Sequence, residues 1–232
     1  MAFLYASVGH GGASGYLALM ALFNVAPDVM KPTALLLNLF VSGMAFVQFY
    51  RGNHFRWRVF LPFAAASIPL AFAGGLVHVD ARTYKIMLGL LLLLPVGRFL
   101  FFGNTPAGEL KTPARGLSLL IGGVIGFLSG LIGIGGGILL SPVLLLLKWT
   151  DQKQTAAISA LFIFVNSVAG LGGQFAKGIH VSADMYAYVA VAFAGGTFGA
   201  YFGSLRFGQN VLKYLLAAVL LVASFKLLFT FA

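Results

Sequence analysis

The chain contains no cysteine and very little charge. The first absence removes disulfides, thiolate nucleophiles and cysteine-ligated metal, and it leaves the redox compartment open. Of the 232 residues only 9% are charged while 60% are hydrophobic, and the mean hydropathy is +0.97. A soluble domain carries roughly 25% charged residues, so a water-facing surface cannot be built from this sequence. Acids are few: Asp28, Asp80, Glu109, Asp151 and Asp184 are all there are, and each falls in a predicted loop or at a helix end. Proton-coupled carriers often use a carboxylate at membrane depth, and none is visible here. No segment alternates apolar and polar residues with period two, which excludes a β-barrel. Met1 to Val8 has neither the basic flank nor the cleavage site of a signal peptide.

What remains is a set of long apolar runs. Ala64 to Val77, Ile86 to Val96 and Val189 to Phe202 hold no charge at all. A helix needs about 20 mostly apolar residues to cross a bilayer. The fold class read from this is an all-α integral membrane protein, multi-pass in the cell inner membrane. The formal net charge of +10 would suggest nucleic acid in a soluble chain. Here Lys and Arg stand at the ends of apolar runs, where they anchor helices and set orientation, so lipid is the expected partner and nucleic acid is not.

The chain repeats itself. Val8-Gly9-His10-Gly11-Gly12-Ala13 matches Ile132-Gly133-Ile134-Gly135-Gly136-Gly137 at an offset of 124 (133 − 9). Gln48 to His54 matches Gln174 to His180 at an offset of 126 (174 − 48). Lys85 and Arg98 match Lys213 and Lys226 at an offset of 128 (213 − 85). The expected domains are a first membrane repeat at 1–104, a linker at 105–113 rich in helix breakers, and a second repeat at 114–232. Each repeat reads as four apolar segments: Ala6–Ala26, Pro32–Tyr50, Trp57–Val77 and Tyr84–Phe102, then Ala114–Leu147, Ala156–Phe175, Met185–Leu205 and Val211–Phe231. Apolar residues run from Ala114 to Leu131 before the second glycine cluster but only from Met1 to Val8 before the first, so the front of the first unit reads as shortened.

Glycine is abundant, and it does two different things. Gly122, Gly123, Gly126 and Gly130 recur at helical spacing, the pattern of close helix contact in membranes. Gly133-Ile134-Gly135-Gly136-Gly137 instead interrupts a run that, as one helix, would be about 50 Å long against a hydrocarbon core of ~30 Å. Consecutive glycines cover all sides of a helix, so the expectation is a break in each unit's first helix. Irregular backbone survives at membrane depth only where protein buries it or a wet cavity meets it. A helix restarting there points N–H groups and positive dipole at the cavity, which suits an anion.

The candidate binding residues are therefore Gly9, Gly11, Gly12, Gly133, Gly135, Gly136 and Gly137, with the polar side chains nearest to them. His10 stands inside the first break and either bonds a substrate oxygen or satisfies backbone carbonyls opened by the break. Ser14 stands where it can cap the restarting helix. Asn38 and Ser42 share a face of one second helix; Asn166 aligns with Ser42 in the other, with Ser159 two turns before it. Each of these either lines the cavity or links helices through hydrogen bonds. Gln48 and Gln174 read as interfacial structural residues. The four histidines show no metal-ligand spacing, and no nucleophile elbow or P-loop is present, so neither an enzyme nor a cofactor is expected.

Loop charges suggest how the repeats are oriented. Arg51, Arg56 and Arg58 in the first unit's middle loop face only Lys177 in the second's, while Lys31, Arg82 and Lys85 face Lys148, Lys153, Arg206 and Lys213. Matching loops would then lie on opposite sides, so inverted repeats are expected, with Ala114–Leu147 folding back at its glycines.

The motif Gly133-Ile-Gly-Gly-Gly137 followed by Ser141-Pro142, with Tyr5-Ala-Ser-Val-Gly-His-Gly-Gly-Ala-Ser-Gly-Tyr16 as its first-half variant, resembles the sulfite exporter TauE/SafE family of membrane permeases. The likeness covers nearly the whole chain. It implies a secondary transporter of small sulfur-containing anions such as sulfite, sulfoacetate or other organosulfonates. A channel-like anion pore and a non-transporting assembly factor are the competing readings, and a homo-oligomer is compatible with all three.

Overall fold

A computed structural model of the chain describes residues 13–101, 110–178, 190, 191, 194 and 209–229. Gly9, His10, Gly11, Gly12 and most of the segment Met185–Leu205 lie outside the described residues. Eight helices are described: α1 Ala13–Leu22, α2 Pro27–Arg51, α3 Trp57–Leu76, α4 Ala81–Phe101, α5 Arg115–Ile132, α6 Gly137–Leu146, α7 Gln152–Ala176 and α8 Gln209–Phe229. Four of them, α2, α3, α5 and α7, are each long and apolar enough to cross a membrane. There is no strand among the described residues.

The scarce acids explain where helices start. Asp151 flanks α7 and accepts from the Gln154 backbone N–H at 2.8 Å. Asp80 does the same for α4 through the Thr83 N–H at 2.9 Å. Hydrogen bonds from Thr83, side chain first and then backbone, hold the Asp80 carboxyl below its ordinary range. Asp28 lies in the first turn of α2 behind Pro27. Among the described residues, Asp80 and Asp151 thus meet free N–H groups at a helix start, and Asp28 stands in a first turn where the helix dipole favours a negative charge.

Helices α3 and α5 pack most intimately. A Cβ added at Gly122 would meet the Phe63 carbonyl at 2.5 Å, and one at Gly126 or Gly130 would overlap the carbonyl of Ser67 or Ala71. Gly74 and Gly75 on α3 answer this, lying against Phe127, Leu131 and the backbone of α7. Two helix backbones approach this closely only without side chains between them.

After α5 the chain turns back. Gly133, Gly135 and Gly136 have φ of +87°, +77° and +77°. That left-handed region is open to glycine and costly for other residues. The ten residues of α6 then span ~15 Å, half a hydrocarbon core. The Lys111 N–H donates to the Lys148 carbonyl at 2.8 Å, so both ends of the Ala114–Leu147 segment meet on one side of the molecule. The expected fold-back at the glycines is therefore present: α5 makes a full crossing and α6 a half-length return.

Helices α2 and α7 cross antiparallel. Leu35 lies against Gly170, while Gly43 lies against Phe164. Helix α8 packs along α4, the Ser224 hydroxyl donating to the Gly89 carbonyl at 2.7 Å. Lys226 near the end of α8 donates to the Leu22 carbonyl at the end of α1 at 2.5 Å. The molecule thus has two ends, one marked by Arg51, Arg56 and Lys148, the other by Asp28, Asp80, Lys177 and Lys226. At the Arg56 end Phe46, Tyr50, Phe55, Trp57 and Phe60 stack edge to tilted with centroids 4.8–6.1 Å apart. Such a cluster belongs to the membrane–water interface. Large apolar side chains exposed along the helices, Phe40, Met44, Leu61, Leu120 and Val124 among them, suit contact with lipid.

Two apolar clusters fill the interior. One gathers α1, α4 and α8 around Ile132 and Ile134. The other gathers α3, α6 and α7 around Ile125, Leu140 and Trp149. The glycine break lies on the seam between them.

Candidate functional site at the glycine break

Helix α6 starts beside Gly136 with no side-chain cap. Its first intrahelical bonds end on the Gly136 carbonyl, from Leu139 and Leu140 at 3.1 and 3.0 Å. The N–H groups of Gly137 and Ile138 stand before them, where a helix has no carbonyl to offer. Packed around this start are α2 and α7. A Cβ at Gly135 would stand 2.6 Å from the Asn38 side-chain nitrogen, one at Gly136 would stand 2.8 Å from the Phe162 ring, and one at Gly137 would overlap Ile163.

Asn38 is the polar group this arrangement isolates. It is 1% exposed, and neither its amide nitrogen nor its oxygen has a hydrogen-bond partner. An unsatisfied buried polar group costs about 1–3 kcal/mol, so its retention calls for a ligand or water. Asn166 is fully buried; its nitrogen donates to the Phe162 carbonyl at 2.8 Å and its oxygen is unpartnered. The hydroxyls of Ser129 on α5 and Ser167 on α7 are also buried and unpartnered. Neither serine stood out in the sequence, because serine is common at helix contacts in membranes.

The remaining sequence candidates divide. Ser42 is buried, but its hydroxyl donates to the Asn38 carbonyl of its own helix at 2.5 Å. The Ser159 hydroxyl lies 2.8 Å from that of Ser141, which also bonds the Gly137 carbonyl at 2.8 Å. That pair fastens α6 to α7 directly below the break. Ser14 is fully buried within α1. Gly133 ends α5 and faces the backbone of Lys31, whose carbonyl a Cβ there would meet at 3.0 Å.

Two residues read as peripheral in the sequence are interior. Lys31 was expected in a loop, but α2 starts at Pro27 rather than Pro32, and Lys31 is 5% exposed. Pro27 followed by Asp28 is an N-terminal helix signal that would have found it. Gln174 was expected at the interface; it is 2% exposed with both amide atoms unpartnered. No group of three His, Cys, Asp or Glu that could hold a metal occurs among the described residues.

The model of the family described as sulfite exporter TauE/SafE matches residues 1–227. The chain belongs to this family. It is 38% identical over 232 residues to "Probable membrane transporter protein y4hK" of Sinorhizobium fredii, covering 98% of this chain and 94% of that one. It is 27% identical over 199 residues to "Probable membrane transporter protein YunE" of Bacillus subtilis, covering 76% and 72%. No solved structure matches. The protein is thus a multi-pass membrane transporter and not an enzyme.

Proposed function

We propose that this TauE/SafE member is a secondary transporter of the inner membrane that carries small sulfur-containing anions, sulfite or an organosulfonate such as sulfoacetate, through a site at the Gly133–Gly137 break. The observation that carries the reading is the fully unpartnered Asn38 amide beside Gly135, at a helix start without a side-chain cap. The amide nitrogen and the N–H groups of Gly137 and Ile138 are donors suited to sulfonate or sulfite oxygens, reinforced by the helix dipole. The free Asn166 oxygen accepts from a water or from a protonated substrate oxygen.

The Gly9–Gly12 cluster with His10 supplies the matching half of the site in this reading, within two inverted four-helix repeats. Supporting the inversion, helices α2 and α7 run antiparallel, and the Ala114–Leu147 segment folds back at its glycines. Rocking of one repeat against the other would open the site to each side in turn.

Purified protein in proteoliposomes tests this with a panel of sulfite, sulfoacetate, sulfate and chloride. Saturable uptake of a sulfur anion, accelerated by the same anion on the far side, is the expected result. Non-saturating flux without exchange would mean a pore, and no flux of any anion would overturn the reading.

A further inference from the structure

We infer that Lys31 and Gln174 form a second anion subsite between the glycine break and the Lys177 end of the molecule, a staging position for the same small anion. The inference rests on the proposed anion function and adds a position and two residues to it.

Lys31 is buried on the second turn of α2. Its ammonium lies 4.5 Å from the centroid of the Tyr84 ring. Tyr84 is itself buried and donates its hydroxyl to the Ile132 carbonyl at 3.0 Å, so the ring is fixed against the last turn of α5. Among the described residues no carboxylate lies within ion-pair distance of the ammonium. The charges that act on it are Lys177 and Asp28. A cation kept inside a membrane protein without a paired acid marks a functional position, because burying it costs several kcal/mol unless a counter-charge arrives. The aromatic face supplies only part of that compensation.

Gln174 is the second, independent observation. Its amide nitrogen and oxygen are both buried and both without partners. The antiparallel register of α2 and α7 sets its level. Leu35 meets Gly170, and one turn farther along each helix, toward the Lys177 end, come Lys31 and Gln174. One element thus offers an ammonium and the other an amide N–H at the same depth, just beyond Gly133. Lys177 stands exposed at this end of the molecule, its ammonium 3.4 Å from the Val77 carbonyl. An anion entering past Lys177 meets Lys31 and Gln174 first and the Asn38 amide next.

The test measures anion-dependent thermal stabilisation of detergent-purified protein, with sulfite, sulfoacetate and sulfate as probes, for wild type, Lys31→Met, Lys31→Arg and Gln174→Leu. Lys31→Met should fold, since it removes a buried charge and keeps the stem. Its half-maximal anion concentration should rise about tenfold or more, the scale of one lost charge-assisted bond. Gln174→Leu should shift it in the same direction by less, while raising stability without anion. Lys31→Arg should restore much of the response. An unchanged anion response in folded Lys31→Met, where wild type responds, would overturn the subsite and leave the break site standing. Absence of any response in wild type would overturn both.

Discussion

Two glycine-rich regions of one helical segment behave in opposite ways. Along α5, Gly122, Gly126 and Gly130 are spaced by four and lie flat against the backbone of α3. Three residues later, Gly133, Gly135 and Gly136 take positive φ and end the helix. The first set brings two intact helix backbones together, and the second turns the chain beside the unpartnered Asn38 amide. Spacing decides between them. Glycines four apart keep one face of an intact helix small, whereas adjacent glycines let the chain leave the helical region altogether.

The comparison breaks most severely at the packing stripe. Gly126→Leu puts a side chain into the Ser67 carbonyl and should abolish recovery of folded, monodisperse protein from detergent. At the break the expected defect is different in kind. Gly136→Ala asks a Cβ to sit at φ +77° beside Phe162 and Ile125, which costs roughly 1–2 kcal/mol for the left-handed backbone plus the ring's displacement. The protein should still fold, with lowered thermal stability and no measurable sulfite binding. If Gly126→Leu folded normally while Gly136→Ala did not, the two roles would be reversed.

A milder test concerns the two ends. Lys111, Arg115, Lys148 and Lys153 join Arg51, Arg56 and Arg58 at one end, against Lys31, Arg82, Lys85, Lys177 and Lys226 at the other. The richer end should face the cytoplasm. A single Asn53→Cys should label from the cytoplasmic side and a single Ile179→Cys from the opposite side. Labelling from one side would contradict the inverted arrangement. The smallest effect belongs to Asp80. Its carboxyl is held below the ordinary range, so its contribution to α4 is present above the unfolded pKa and fades as pH falls through the folded one. Asp80→Asn should lower the melting temperature slightly at neutral pH, and the difference from wild type should vanish in acid.

Much of this was legible in the residues. Long uncharged runs bounded by Lys and Arg marked the helices, and the 34-residue span of Ala114–Leu147 forced a break that its glycines located. Asn38 and Asn166 could be named as wall candidates from helical spacing alone. Their state of satisfaction could not, because it depends on whether a partner stands on another helix: Asn166 spends its nitrogen on Phe162 in its own helix, and Asn38 spends nothing. Lys31 escaped because a charge next to Pro32 looks like a loop, while the helix begins one turn earlier at Pro27. Gln174 escaped because its neighbour Gly75 on α3 is 99 residues away in sequence (174 − 75), and only the packing of α7 on α3 brings them together.

The central claim is that the Asn38 amide at the break binds an anion, and Asn38→Leu tests it most directly. Leucine is close in volume and removes two unsatisfied polar atoms, so without ligand the variant should melt at or above the wild-type temperature. Its sulfite or sulfoacetate affinity should fall by about 1.5–3 kcal/mol, the range for a hydrogen bond to a charged group, or roughly ten- to a hundredfold. Binding and melting should be measured on the same preparation. Raised or equal stability with lost binding is the predicted result; lowered stability with binding intact would make Asn38 a packing residue and place the anion elsewhere.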